Sequence, residues 1–134
     1  MKSVYNPGDK KEVFFIVANE DIASFKGKTV HEVCSTFTIA REMEWAGRQF
    51  ALDIREDDEE GVGTMVEVIH HAPAFVGDEI KITATLDKII KNEIICSILV
   101  TSDGRKIASG KTGQKILKRE KLKKLFSTNN NGEK

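Results

Sequence analysis

The clearest periodic signal lies at residues 80 to 87, where Ile80, Ile82, Ala84 and Leu86 alternate with Lys81, Thr83, Thr85 and Asp87. A period of two predicts a strand with one face buried and the other wet. Glu93 to Thr101 is nearly continuous in apolar residues, as expected of a central strand. Asp103-Gly104 then suits a tight hairpin into Lys106 to Leu117, and Lys91-Asn92 suits the turn before it. Upstream, Val66, Val68 and His70 share one strand face, while Met65, Glu67, Ile69 and His71 share the other. Near the start, Glu12 to Ala18 is short, aromatic and β-branched, and reads as a first strand. Asn19 to Thr29 contains Gly27 and reads as a connection with one helical turn around Asp21 to Phe25.

From about Thr38 the period changes. Ile39, Met43, Ala46 and Phe50 fall at i, i+4, i+7 and i+11, an apolar stripe along a helix of about four turns. Trp45 and Leu52 widen the stripe, the acidic stretch Glu56 to Glu60 ends it, and Gly61 and Gly63 allow a turn into the next strand. One strand, one long helix and four strands make an α+β fold whose antiparallel sheet packs against that helix. We read residues 1–120 as a single domain and 121–134, basic and then Asn-rich, as a flexible tail.

The chain has 134 residues, enough to bury a core without disulfides or a structural metal. Charged residues are 31% of the total, cancel to zero net charge and are interleaved, which argues against a nucleic-acid surface. No apolar run approaches the ~20 residues that cross a bilayer, so no membrane partner is expected. Cys34 and Cys96 stand apart, without a CxxC or a Cys/His cluster, and no signal peptide is apparent. Both read as small buried hydrophobes in a reduced, cytoplasmic compartment. Adjacent residues on opposite strand faces, His70 and His71 do not form a metal pair, and none is expected.

Three residues carry candidate chemistry: Thr36, Glu44 and His70 supply a hydroxyl, a carboxylate and an imidazole. Acyl transfer needs an attacking group, a group to manage the proton and donors for the oxyanion. Neutral His70 would take a proton from water or from Thr36. Glu44 would orient His70, activate water or attack directly. Each has an ordinary reading too. Thr36 would cap the helix, His70 would be a satisfied core histidine, and Glu44 would pair with Arg48 one turn on. Gly63 is a turn glycine or an oxyanion donor. The lysines between Lys111 and Lys124 are solvated surface, or attract phosphates weakly.

Order and spacing sharpen this. Thr36 is followed eight positions on by Glu44-Trp45-Ala46; His70 follows Thr64 of Gly63-Thr64 by six, and Gly77 follows His70 by seven. The pattern resembles the fluoroacetyl-CoA thioesterase-like branch of the hotdog thioesterases, in which a sheet wraps a central helix. That resemblance implies catalytic roles for Thr36, Glu44 and His70, a place for Gly63 beside the thioester, and a homodimer with sites at the subunit interface. It also implies an acyl-CoA substrate, with coenzyme A a product and no cofactor.

Two substrate-binding positions depart from the pattern. The fluoroacetyl-specific member carries a gating phenylalanine where this chain has Val30, so its lid and selectivity are not implied. Its arginine near the end of the last strand aligns with Gln114, which brings an amide in place of a charge. The expected activity is hydrolysis of a small or medium acyl-CoA. An acyl-CoA or fatty-acyl binding module on the same fold is the alternative, and a hydratase, lacking its Asp…His pair here, ranks third.

Overall fold

The computed structural model describes residues 1–25 and 27–132, and among these the side chains of all but residues 25, 30, 31 and 128–132. Strand β1 (Lys10–Ile16) leads through a turn of 3₁₀ helix at Asn19–Asp21 into a two-stranded ribbon, β2 (Ile22–Phe25) and β3 (Lys28–Cys34). Helix α1 (Thr36–Ile54) follows, then β4 (Glu59–Val66), the two-residue β5 (Ile69–His70), β6 (Glu79–Ile90), β7 (Glu93–Ser102) and β8 (Arg105–Lys118). The segment read as a tail is helical, α2 (Arg119–Gly132).

The main sheet has the order β1-β6-β7-β8-β4, all antiparallel, with β5 paired to β8. The alternation at residues 80 to 86 does what its period requires: Ile80, Ile82, Ala84 and Leu86 are buried. Ile94, Cys96, Ile98 and Val100 of β7 continue that inner face, and β7 is central as expected. The β7–β8 hairpin turns through Asp103 (φ 48°) and Gly104 (φ 76°).

Helix α1 lies against this inner face with Ile39, Met43, Ala46, Phe50 and Ile54 buried. Each fully buried aliphatic or aromatic side chain contributes about 1.5–3 kcal/mol, so the stripe holds helix to sheet. Trp45 and Leu52 do not widen the stripe as expected: Trp45 is 47% exposed and Leu52 only half-buried, because their positions on the helix turn them away from the sheet. The connection read between Asn19 and Thr29 is instead the β2–β3 ribbon, and the first strand begins two residues before Glu12.

Candidate active site

The start of α1 is fixed from several sides. Ser35, in extended conformation (φ −71°, ψ 155°), accepts from the Thr38 amide at 3.0 Å and is the cap. Its own amide donates to the Asp21 carbonyl at 2.7 Å, and Cys34 N donates to Ala74 O at 2.8 Å. The second bond ties the end of β3 to the loop after β5. Thr36, freed from capping, is the first helical residue, and its hydroxyl lies 2.9 Å from His70 Nε2.

His70 is held by register. β5 pairs Ile69 with Ser109 and His70 with Ala108, and His71 N donates to Ile107 O at 2.8 Å. Both Thr36 and His70 are exposed, so His70 is not a core histidine. With its proton on Nδ1, the imidazole accepts the threonine O–H at Nε2, the arrangement of a hydroxyl beside a general base. His71 turns to Ser109, whose Oγ lies 2.8 Å from its Nε2.

Glu44 sits two turns farther along α1, about 12 Å along the axis from Thr36. Its expected ion pair with Arg48 is not formed. Arg48 Nη1 instead donates to Gly61 O at 2.9 Å and to Gln114 Oε1 at 3.3 Å, while Nη2 approaches Glu60 at 4.0 Å. The half-buried Glu44 carboxylate packs on β4, with Oε2 in the space that a β-carbon on residue 63 would fill. Gln114 Nε2 lies 3.5 Å from that same point. Gln114 is 1% exposed, and its Nε2 is, among the described residues, a buried donor with no protein acceptor. Arg48 thus holds the amide by its oxygen and leaves its N–H₂ facing the Glu44 side.

Within one chain, then, two groups form: Thr36 with His70, and Glu44 with Gly63 and Gln114. The Val30 side chain lies outside the described residues. A cleft of about 390 Å³ opens at the first group, lined by Thr36, His70, Val33, Cys34, Ile39 and Pro73. Burial pushes the Cys34 thiol up to about 11 and the Cys96 thiol to about 12, so neither is a nucleophile near neutrality. A larger groove, about 1010 Å³, crosses the outer face of β1, β6 and β7 beside Phe14 and Leu99, and among the described residues no histidine or cysteine lines it. The hydroxyl–imidazole pair lines the smaller cleft.

Residues 17–120 match the family of fluoroacetyl-CoA-specific thioesterases, FlK. The chain belongs to the FlK family. No curated protein sequence matches it. Among solved structures, a thioesterase-superfamily protein of Thermus thermophilus is 31% identical over 91% of this chain and 90% of its own, with a TM-score of 0.88. A hot-dog-like protein of Thermanaerovibrio acidaminovorans gives a TM-score of 0.86 at 21% identity, covering 93% of each chain. A phenylalanine-to-alanine mutant of FlK, in complex with fluoroacetate and CoA, gives 0.81 at 22% identity, covering 88% of this chain and 99% of its own. This FlK-family chain is therefore a hotdog-fold thioester hydrolase. Among its described residues no helix is long and apolar enough to cross a membrane.

The cap at Ser35, the Arg48–Gln114 contact and the His71–Ser109 pair were not foreseen from sequence. Only the first had a local signal, a serine three residues before Thr38.

Proposed function

We propose that this FlK-family enzyme hydrolyses a small or medium acyl-CoA to the free acid and coenzyme A, in the cytoplasm. The observation that carries the reading is the 2.9 Å contact between Thr36 Oγ1 and His70 Nε2 at the mouth of a cleft. His70 takes the proton of Thr36, or of a water in its place, as the oxygen attacks the thioester carbonyl. The imidazolium returns that proton to the departing thiolate. If Thr36 has attacked, water then releases the acid by the same route. The Gly63 backbone is suited to the carbonyl oxygen, Gln114 Nε2 to holding the Glu44 side of the site, and Glu44 to a water or to the imidazolium. A cleft of about 390 Å³ suits a small or medium acyl group. With Val30 in the gating position, selectivity for fluoroacetyl groups is not part of this reading.

The two groups of site residues join, in this proposal, across a homodimer: Thr36 and His70 of one subunit meet Glu44, Gly63 and Gln114 of the other. Their separation along α1 supports this. So do the edge position of β4 and the exposed Phe37, Trp45, Met65, Val66 and Ile69 beside it. The two buried cysteines, unpaired, suit a reducing cytoplasm.

The test is thiol release from short, branched, aromatic and long acyl-CoAs by wild type, Glu44→Gln and His70→Ala. Hydrolysis by wild type, reduced by about 10²–10⁴ in His70→Ala, is expected. Saturable acyl-CoA binding without hydrolysis by wild type would replace this reading with that of a binding module.

A further inference from the structure

Thr64 is the odd residue in the β4–β8 ladder. Gly63 faces Gln114 and Met65 faces Gly113, so Thr64 has no partner of its own and β4 bulges there. A bulge bends its strand and re-aims the groups beside it. This one lies on the edge strand β4, which among the described residues pairs with β8 alone.

A polar bridge spans the bulge. Thr64 Oγ1 donates to Glu93 Oε2 at 2.6 Å, reaching from β4 across β8 to the first residue of β7. The bridge passes over Gly113. A β-carbon there would lie 2.5 Å from Thr64 Oγ1 and 3.3 Å from Glu93 Oε2, so only glycine leaves room. A hydroxyl bound to a carboxylate makes a short, strong hydrogen bond. On the inner face, one residue before the bulge, Gly63 packs against the Glu44 carboxylate.

We infer that Thr64 and Glu93 are positioning residues: their bridge fixes the bulge, and the bulge sets where the Gly63 backbone meets Glu44. The effect on turnover rests on the hydrolase reading above. The effect on Gly63 does not.

The test uses the full chain with two readouts, the Gly63 amide resonance and the kcat and KM for the best acyl-CoA of the panel. Glu93 is remote from Gly63 in sequence, so a shift of that resonance in Glu93→Ala reports the bridge and not a covalent neighbour. The expected result is a moved Gly63 resonance and a roughly tenfold lower kcat with KM within about twofold, since small misplacements of reacting groups cost rate. Glu93→Gln keeps an acceptor oxygen and restores both. Thr64→Val lowers kcat as Glu93→Ala does, and the double variant is no slower than either single, as for two ends of one contact. An unmoved Gly63 resonance in folded Glu93→Ala, an unchanged kcat, or additive losses would overturn the inference. Absence of turnover in wild type would sink the hydrolase reading alone, and the Gly63 resonance would still decide the bridge.

Discussion

The Glu44 carboxylate occupies the space in which Gly63, given a side chain, would carry its β-carbon. Gly63→Ala forces that carboxylate to swing aside. The backbone at Gly63 is exposed and not in the left-handed region, so the variant folds. We expect kcat to fall by about 10²-fold with a small change in melting temperature, the size of loss that a displacement of about 1 Å produces. Wild-type kcat in a folded Gly63→Ala protein would separate Glu44 from the reaction.

Ser35, and not Thr36, caps α1, which separates the cap from the hydroxyl proposed for catalysis. Because Ser35 caps the helix, Thr36→Val removes the hydroxyl facing His70 without uncapping α1. Turnover is expected to drop by roughly 10²-fold or more at unchanged stability, with Thr36→Ser recovering part of it. Ser35→Ala does the reverse, costing about 1 kcal/mol of stability. Kinetics and thermal melts on the three variants tell the two roles apart.

Complementation tests the shared site. Mixing inactive His70→Ala and Glu44→Gln subunits yields mixed dimers in which one of two sites has both residues intact. Random exchange between subunits should then restore about a quarter of wild-type activity. If all three residues served a site within one chain, mixing would restore none.

The buried thiols set an alkaline limit. Burial raises the folded Cys34 and Cys96 thiols from 9.0 to about 11 and about 12. The folded chain therefore keeps protons that the unfolded chain releases. Their contribution to stability is complete below pH 9 and is lost as the pH climbs through 11 to 12. Melting temperature should fall over that window, and less steeply in a Cys34→Ala, Cys96→Ala double variant. Thiol reagents should label the native protein slowly at pH 8 and the denatured protein fast.

Much of the architecture could be read in advance because it is written in short-range periods. Ile80 to Leu86 and the Ile39 to Phe50 stripe announce which face each element buries, and both do so in the structure. The β2–β3 ribbon escaped because Ile22–Phe25 is too short to show a period and its partner follows a glycine turn. Helix α2 escaped because its lysines and asparagines outweigh Leu122, Leu125 and Phe126, which fall at helical spacing. Trp45 and Leu52 join the stripe by type alone, but both sit more than about 100° around the helix from its centre.

The candidate residues could be named from the sequence, and their spatial grouping could not. Thr36 and His70 could be named from order and spacing, but their contact depends on Cys34 bonding to the loop after β5. Glu44 could be named too, yet its ordinary reading as Arg48's partner fails because Gly61 and Gln114, distant in sequence, claim the guanidinium. Such long-range competition leaves no local trace.

The β2–β3 ribbon contributes Ala23, Val33 and Cys34 to the wall of the cleft but none of Thr36, Glu44 or His70. The ribbon's share of the wall thus lies on a different piece of chain from Thr36 and His70, which line the same cleft. For the proposed hydrolase, acyl preference is therefore open to change through Ala23 and Val33 without touching Thr36, Glu44 or His70.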